Sequence, residues 1–73
     1  MRPRAQIIAE LVARRRALGV TQDQMATLME VSQSNVSQFE SAQHDPRLST
    51  LQRYALMLER VEIFQAEVTE SAE

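Results

Sequence analysis

A chain of 73 residues, 44% hydrophobic and with a formal net charge of −2, has material for one small domain, whose core is marginal enough that dimerisation is a common source of added stability. It contains no cysteine and one histidine, His44, which excludes disulfides, thiolate zinc sites and thiol catalysis and leaves a lone imidazole with no second one to share a metal. No N-terminal run has the apolar core of a signal peptide and none approaches the length of a bilayer span, so a cytoplasmic protein without membrane association is expected.

The charge is unevenly spread. Residues 1–58 carry seven arginines against five acids, a balance of +2, whereas residues 59–73 carry one arginine against five glutamates, a balance of −4. A mildly basic body followed by an acidic tail implies two surfaces with different tasks, and it divides the chain at 58/59.

The first helix is expected to start near Pro3, whose missing amide costs nothing in a first turn, and to end at Gly19, a residue suited to a left-handed C-terminal position. Ile7, Ile8, Leu11, Val12 and Leu18 recur on one face of it. Within it lies the run Arg14-Arg15-Arg16. A run of arginines is ordinarily a solvated face, but Arg15 falls four residues after Leu11 and therefore on the apolar side, where its guanidinium needs a carboxylate. Glu40 is the natural partner, since it follows Phe39 by one residue and Val36 by four and so lies on the inner side of its own helix.

Thr21 opens a second helix as a capping box with Gln24. Met25, Ala26, Leu28 and Met29 supply its apolar contacts, with Ala26 small where a neighbouring helix would cross. The turn is Glu30-Val31, and Ser32 then caps a third helix that points Val36 and Phe39 inward. Its outer face carries Gln33, Ser34, Ser37 and Gln38, where a solvated helix usually carries Glu, Lys and Arg. Glutamine can pair bidentately with adenine, and serine can donate to or accept from several bases, so this face is suited to reading base edges.

Residues 42–47 form a polar loop containing His44 and Pro46. His44 is read there as solvated or beside a phosphate, since no nucleophile or base accompanies it. A fourth helix is expected from Ser49, boxed by Gln52, with Leu51, Tyr54, Ala55 and Leu58 inward and Leu48 tucked beneath. In the tail, Val61, Ile63, Phe64 and Val68 are β-branched or aromatic and favour a strand, although the spacing of Val61, Phe64 and Val68 also fits a helix. A lone strand leaves its backbone unsatisfied in a monomer, so the strand reading carries a dimer in which residues 60–68 of two copies pair antiparallel. Residues 69–73 read as a frayed acidic end.

The segment from Leu18 to Gln22 (LGVTQ), the Met25-Ala26 pair, Val31-Ser32, the Val36…Phe39-Glu40 spacing, Pro46 and the run from Thr50 to Leu58 together resemble the helix-turn-helix of the Cro and lambda-repressor-like (XRE-type) DNA-binding proteins. The resemblance covers residues 8–58. It implies a mainly α, four-helix domain over residues 1–58, an Arg15–Glu40 pair bracing the first helix against the third, base reading by the start of the third helix, and, in small members, a C-terminal strand that closes a dimer over residues 59–73. Two positions depart from the pattern. Glu30 stands where glycine is usual in the turn, at a steric cost if its φ is positive, and the glycine that usually follows the third helix is replaced near Ala42.

The function implied is a dimeric, sequence-specific regulator, a repressor, reading a palindromic site in double-stranded DNA. Gln33, Ser34, Ser37 and Gln38 face the major groove, while Gln22, Arg14, Arg16, Arg47 and Asn35 hold phosphates. The charge balance implies only modest affinity for random DNA. The second hypothesis is an antitoxin-like module whose apolar tail grips a toxin or other protein partner. No cofactor is expected, and nothing in the chain supplies a nucleophile, a metal-ligand set or a phosphate-cradling glycine loop, so no enzymatic activity is expected.

Overall fold

The computed structural model describes residues 2–41 and 45–71. It contains four helices, α1 Arg4–Ala17, α2 Gln22–Met29, α3 Gln33–Ser41 and α4 Leu48–Ser71; His44 and Ala42 lie outside the described residues.

Local chemistry sets most of the helix ends. Pro3 holds the N-cap of α1 at φ −61°, and its carbonyl accepts from the amides of Gln6 and Ile7 at 3.1 and 3.2 Å. At the other end Gly19 takes φ 77°, while its amide reaches the Arg16 carbonyl at 3.0 Å and that of Val20 reaches Arg15 at 3.1 Å. This crossed pair is a Schellman closure, which satisfies carbonyls that the helix end leaves free. The α2 box is complete, with Gln24 N donating to Thr21 Oγ1 at 3.1 Å and Thr21 N donating to Gln24 Oε1 at 2.9 Å. Ser32 Oγ accepts from Asn35 N at 3.1 Å and caps α3.

The α2–α3 turn repeats the Schellman closure without a glycine. Glu30 sits at φ 59°, ψ 42°, its amide bonded to the Thr27 carbonyl at 3.2 Å and that of Val31 to Ala26 at 3.0 Å. The left-handed conformation that glycine adopts freely is therefore forced on a residue with a Cβ, at a cost of about 1–2 kcal/mol.

The core is formed by Ile8, Leu11, Val20, Met25, Ala26, Met29, Val36, Phe39, Tyr54, Met57 and Leu58. Phe39 and Tyr54 stack across α3 and α4 with ring centroids 4.9 Å apart. α2 packs most extensively on α3, and α1 and α4 close the other side.

Three expectations are corrected. The tail is not a strand: α4 runs without interruption through residue 58 to Ser71, and there is no strand among the described residues. From Arg47 onward the chain has neither glycine nor proline, and a helix satisfies its own backbone where a lone strand could not. Val61 packs partly buried against the core, and Gln65 Nε2 donates to the Leu18 carbonyl at 2.9 Å, so the tail is tied to the end of α1. With the strand goes the antiparallel strand pairing through Val61, Ile63, Phe64 and Val68. Second, α4 begins at Leu48, which places Ser49 inside the first turn instead of at the cap, and leaves Leu48 54% exposed. Third, Leu28 is 41% exposed, because Met25, Ala26 and Met29 define the buried arc of α2 and Leu28 falls outside it; it lies beside Val61 and Phe64.

Glu30→Gly should raise stability by roughly 0.5–1 kcal/mol, the relieved strain less the added freedom of the unfolded chain. Among the described residues the one ion pair given up is Glu30 with Arg53, at 3.4 Å and largely exposed, a type worth little. A urea midpoint for the variant at or below that of the parent chain would show that the strain at Glu30 is no larger than the chain freedom that glycine adds.

Candidate nucleic-acid interface

The site is built outward from one buried carboxylate. Glu40, near the end of α3, accepts from Arg15 Nε at 2.7 Å and Arg15 Nη2 at 3.0 Å, from Tyr54 Oη at 2.6 Å and from Gln22 Nε2 at 3.0 Å. The Arg15 and Glu40 side chains are each 6% exposed. The third nitrogen of the guanidinium is not left over, since Arg15 Nη1 donates to the Val20 carbonyl at 2.7 Å. Among the described residues no buried side-chain nitrogen or oxygen lacks a partner, the condition under which a buried charge pair is tolerable.

Burial alone would raise the Glu40 pKa, but the hydrogen bonds from Arg15, Tyr54 and Gln22 and the arginine charge outweigh it and hold the carboxyl below its ordinary 4.5. For Arg15, burial favours loss of the proton, and the bonds and charge of Glu40 reverse that, so the guanidinium is held more firmly protonated. Burial pushes the Tyr54 hydroxyl well above the usual phenol range, and its bond to Glu40 adds to the effect.

From this centre the network reaches the surface. Gln22 is half-buried, and its Oε1 accepts from Gln33 Nε2 at 3.2 Å. The amide of Gln33, the first residue of α3, is thus held by Gln22, which Glu40 holds in turn. Gln33, Ser34, Ser37 and Gln38 are all exposed on α3. Asn35 and Gln38 share a shallow hollow with Arg47, Pro46 and Thr50. The segment before α4 is fixed by Arg4, whose Nη1 donates to the Pro46 carbonyl at 2.7 Å.

The residues assigned to phosphates fall into different situations. Arg47 and Asn35 lie together beside the α3 face, and Arg16 is exposed in the last turn of α1. Gln22 has both amide atoms engaged within the chain. Arg14 pairs with Glu62, Nε to Oε1 at 2.7 Å with a second contact through Nη2, and so straps α1 to α4. The bond to Glu62 is the main cause that raises the Arg14 pKa. Two parts of this arrangement were not evident in the sequence. The Tyr54 hydroxyl had a signal, because a tyrosine on an inward face needs a polar partner. The Glu62 contact had none, because only a helical tail brings Glu62 to Arg14.

Among the described residues no group of three His, Cys, Asp or Glu side chains could hold a metal ion, and no helix is long and apolar enough to cross a membrane.

The helix-turn-helix family model HTH_3 matches residues 11–63, and the chain belongs to this XRE-type family. It is 43% identical over 53 residues, 73% of its length, to proteins named Antitoxin HigA1 from two strains of Mycobacterium tuberculosis, CDC 1551 / Oshkosh and ATCC 25618 / H37Rv; the chain spans only 36% of each of these relatives. No solved structure matches it.

Removing one partner of the buried pair, by Arg15→Ala or Glu40→Ala, should cost about 3–5 kcal/mol, because the other charge is left without compensation. Thermal or urea melts check this, and a loss below about 1 kcal/mol would reject a buried pair. The pH dependence has a definite sign. A carboxyl held below its ordinary value contributes stability that is complete above the unfolded pKa, near 4.5, and is lost as pH falls through the lower folded value. The stability gap between the parent chain and Glu40→Gln should therefore be widest at neutral pH and shrink below about 4.5.

Proposed function

We propose that this member of the helix-turn-helix family is a sequence-specific regulator of transcription that reads duplex DNA as a homodimer and acts as a repressor on a palindromic operator. The observation that carries the reading is the exposed α3 face, with Gln33 held by Gln22 and the latter by the buried Glu40. An amide fixed in this way meets a base edge with less rotational freedom to lose. In this reading Gln33, Ser34, Ser37 and Gln38 contact bases. Arg47, Asn35 and Arg16 hold phosphates, and Gln22 combines its positioning of Gln33 with its remaining amide hydrogen at the backbone. Arg14 contributes at a phosphate only by exchanging Glu62 for it. The chain works by binding and has no catalytic role.

A second reading is favoured by the 43% identity to proteins named antitoxins. The chain would then also bind a partner protein, a toxin, while its α3 face binds the DNA that controls its own expression. Neutralisation of a toxin encoded beside it, tested with the isolated chain, decides that reading independently of DNA.

Selection of bound duplexes from a random pool tests the main reading, and a two-fold symmetric winner is the expected result. On that duplex, Gln33→Ala and Gln38→Ala should each cost about 1–3 kcal/mol and relax one base position per half-site. Arg47→Ala should weaken preferred and scrambled duplexes alike and reduce the salt slope by about one per protomer. Equal losses on both duplexes for the glutamine variants would remove them from base reading.

A further inference from the structure

Beyond Leu58 the helix α4 runs past the core and exposes Phe64 (65%), Ile63 (52%) and Val68 (50%). An open groove of about 470 Å³ runs along it, lined by Leu18, Leu28, Val61, Phe64 and Gln65. From the self-complementarity of this face we infer that α4 packs antiparallel on α4 of a second copy, about a two-fold axis at Phe64. The inference rests on the dimeric reading above and supplies its interface.

The register follows from helix geometry. At 3.6 residues per turn, Val61 and Val68 flank Phe64 on one side, and Arg60 and Glu67 flank it on the other. Along the helix Arg60 lies about 6 Å before Phe64 and Glu67 about 4.5 Å after it, at 1.5 Å per residue. A two-fold axis at Phe64 reverses direction and keeps each side facing the same side. It therefore sets Arg60 level with the partner's Glu67, and Glu67 level with the partner's Arg60. On the other side Val61 meets the partner's Val68, which drops into the groove beside Leu28, and the two Phe64 rings meet at the centre. One axis thus pairs every apolar side chain with an apolar one and every charge with its opposite, as an isologous interface requires. Neither Arg60 nor Glu67 has an ion-pair partner within the chain among the described residues.

The other exposed apolar pair on α4, Leu56 and Ile63, does not behave this way. A two-fold axis midway between them brings Glu59 against the partner's Glu59 and Arg60 against the partner's Arg60, a like-charge arrangement that disfavours self-association. The apolar contacts at Phe64 supply affinity, and the two charge pairs fix the register.

Sedimentation of the full chain at tens of micromolar tests the proposal, with circular dichroism confirming that each variant stays helical. The parent chain should be dimeric and Phe64→Glu monomeric. Arg60→Glu, which sets glutamate against glutamate twice, should weaken the dimer about tenfold or more, and the double variant Arg60→Glu/Glu67→Arg should restore it. Ile63→Glu, on the neighbouring face, should leave it unchanged. A monomeric parent chain leaves the face to a different protein and overturns the proposal. A dimer indifferent to Phe64→Glu and to the charge exchange overturns it as well. DNA selection on the same samples keeps the two readings apart: a dimer with no preferred duplex rejects the DNA reading alone, and a monomer with one rejects the dimer and this interface and leaves base reading by α3 standing.

Discussion

The carboxylate of Glu40 is the point on which the four helices agree. It sits on α3 and accepts from Arg15 on α1, Gln22 on α2 and Tyr54 on α4, so one side chain fixes the third helix against each of the others. Its position in the last turn of α3 is electrostatically unfavourable, because the carbonyl end of a helix repels an anion. The guanidinium of Arg15 overcomes that repulsion, and the complete set of donors offsets the desolvation of both charges. An apolar pair at these positions could match the stability, but it would not dictate the orientation of α3 through four directional bonds.

That orientation matters because the outermost bond of the network ends on Gln33. The chain of contacts from Arg15 through Glu40 and Gln22 to Gln33 makes the core and the exposed α3 face parts of one hydrogen-bonded unit. The capping chemistry at the start of α3 works to the same end. Ser32 fixes the first turn, and the Schellman closure at Glu30 fixes the angle at which α2 hands over to α3. The fold accepts local strain at Glu30 in a turn whose hydrogen bonds are otherwise those of a glycine turn, so the departure from glycine changes the energy of the turn and not its geometry.

Much of this arrangement was legible in the sequence, for reasons specific to each residue. A charged Arg15 on an apolar arc asks for an acid, and Glu40 is the acid on the facing arc; Thr21 with Gln24 and Ser32 before α3 announce their helix ends by chemistry that needs no tertiary context. The tail was not legible. Valine, isoleucine and phenylalanine at 61, 63 and 64 favour a strand by local preference, whereas what decides is the seed of a packed helix running in from Tyr54, Met57 and Leu58 with no breaker to stop it. Propensity is a weak prior beside such continuation. The misreading propagated, since only a helical tail brings Glu62 to Arg14 and Gln65 to the end of α1. Leu28 and Leu48 were misplaced for a simpler reason: an apolar side chain adjoining a buried arc is no evidence of its own burial.

The helical tail also alters the charge available for DNA. Five of the eight arginines are drawn into ion pairs, Arg2 with Glu10, Arg4 with Asp45, Arg14 with Glu62, Arg15 with Glu40 and Arg53 with Glu30. Of the remaining three, Arg60 belongs to the tail, which leaves Arg16 and Arg47 as the arginines whose charge is unclaimed on the body among the described residues. In the proposed reading, two arginine–phosphate contacts per protomer correspond to a salt slope of about −1.8 per protomer and roughly −3.6 for the dimer, shallow beside the roughly −10 of a protein with many such contacts. With so little counterion release to draw on, affinity in the proposed reading has to come from amide-to-base hydrogen bonds and from doubling them over two half-sites. This joins the two ends of the molecule. The weaker the electrostatic hold of one protomer, the more the preferred site depends on the contact that brings the second protomer alongside, and the exposed Phe64 face of α4 is where the chain has apolar surface to make it.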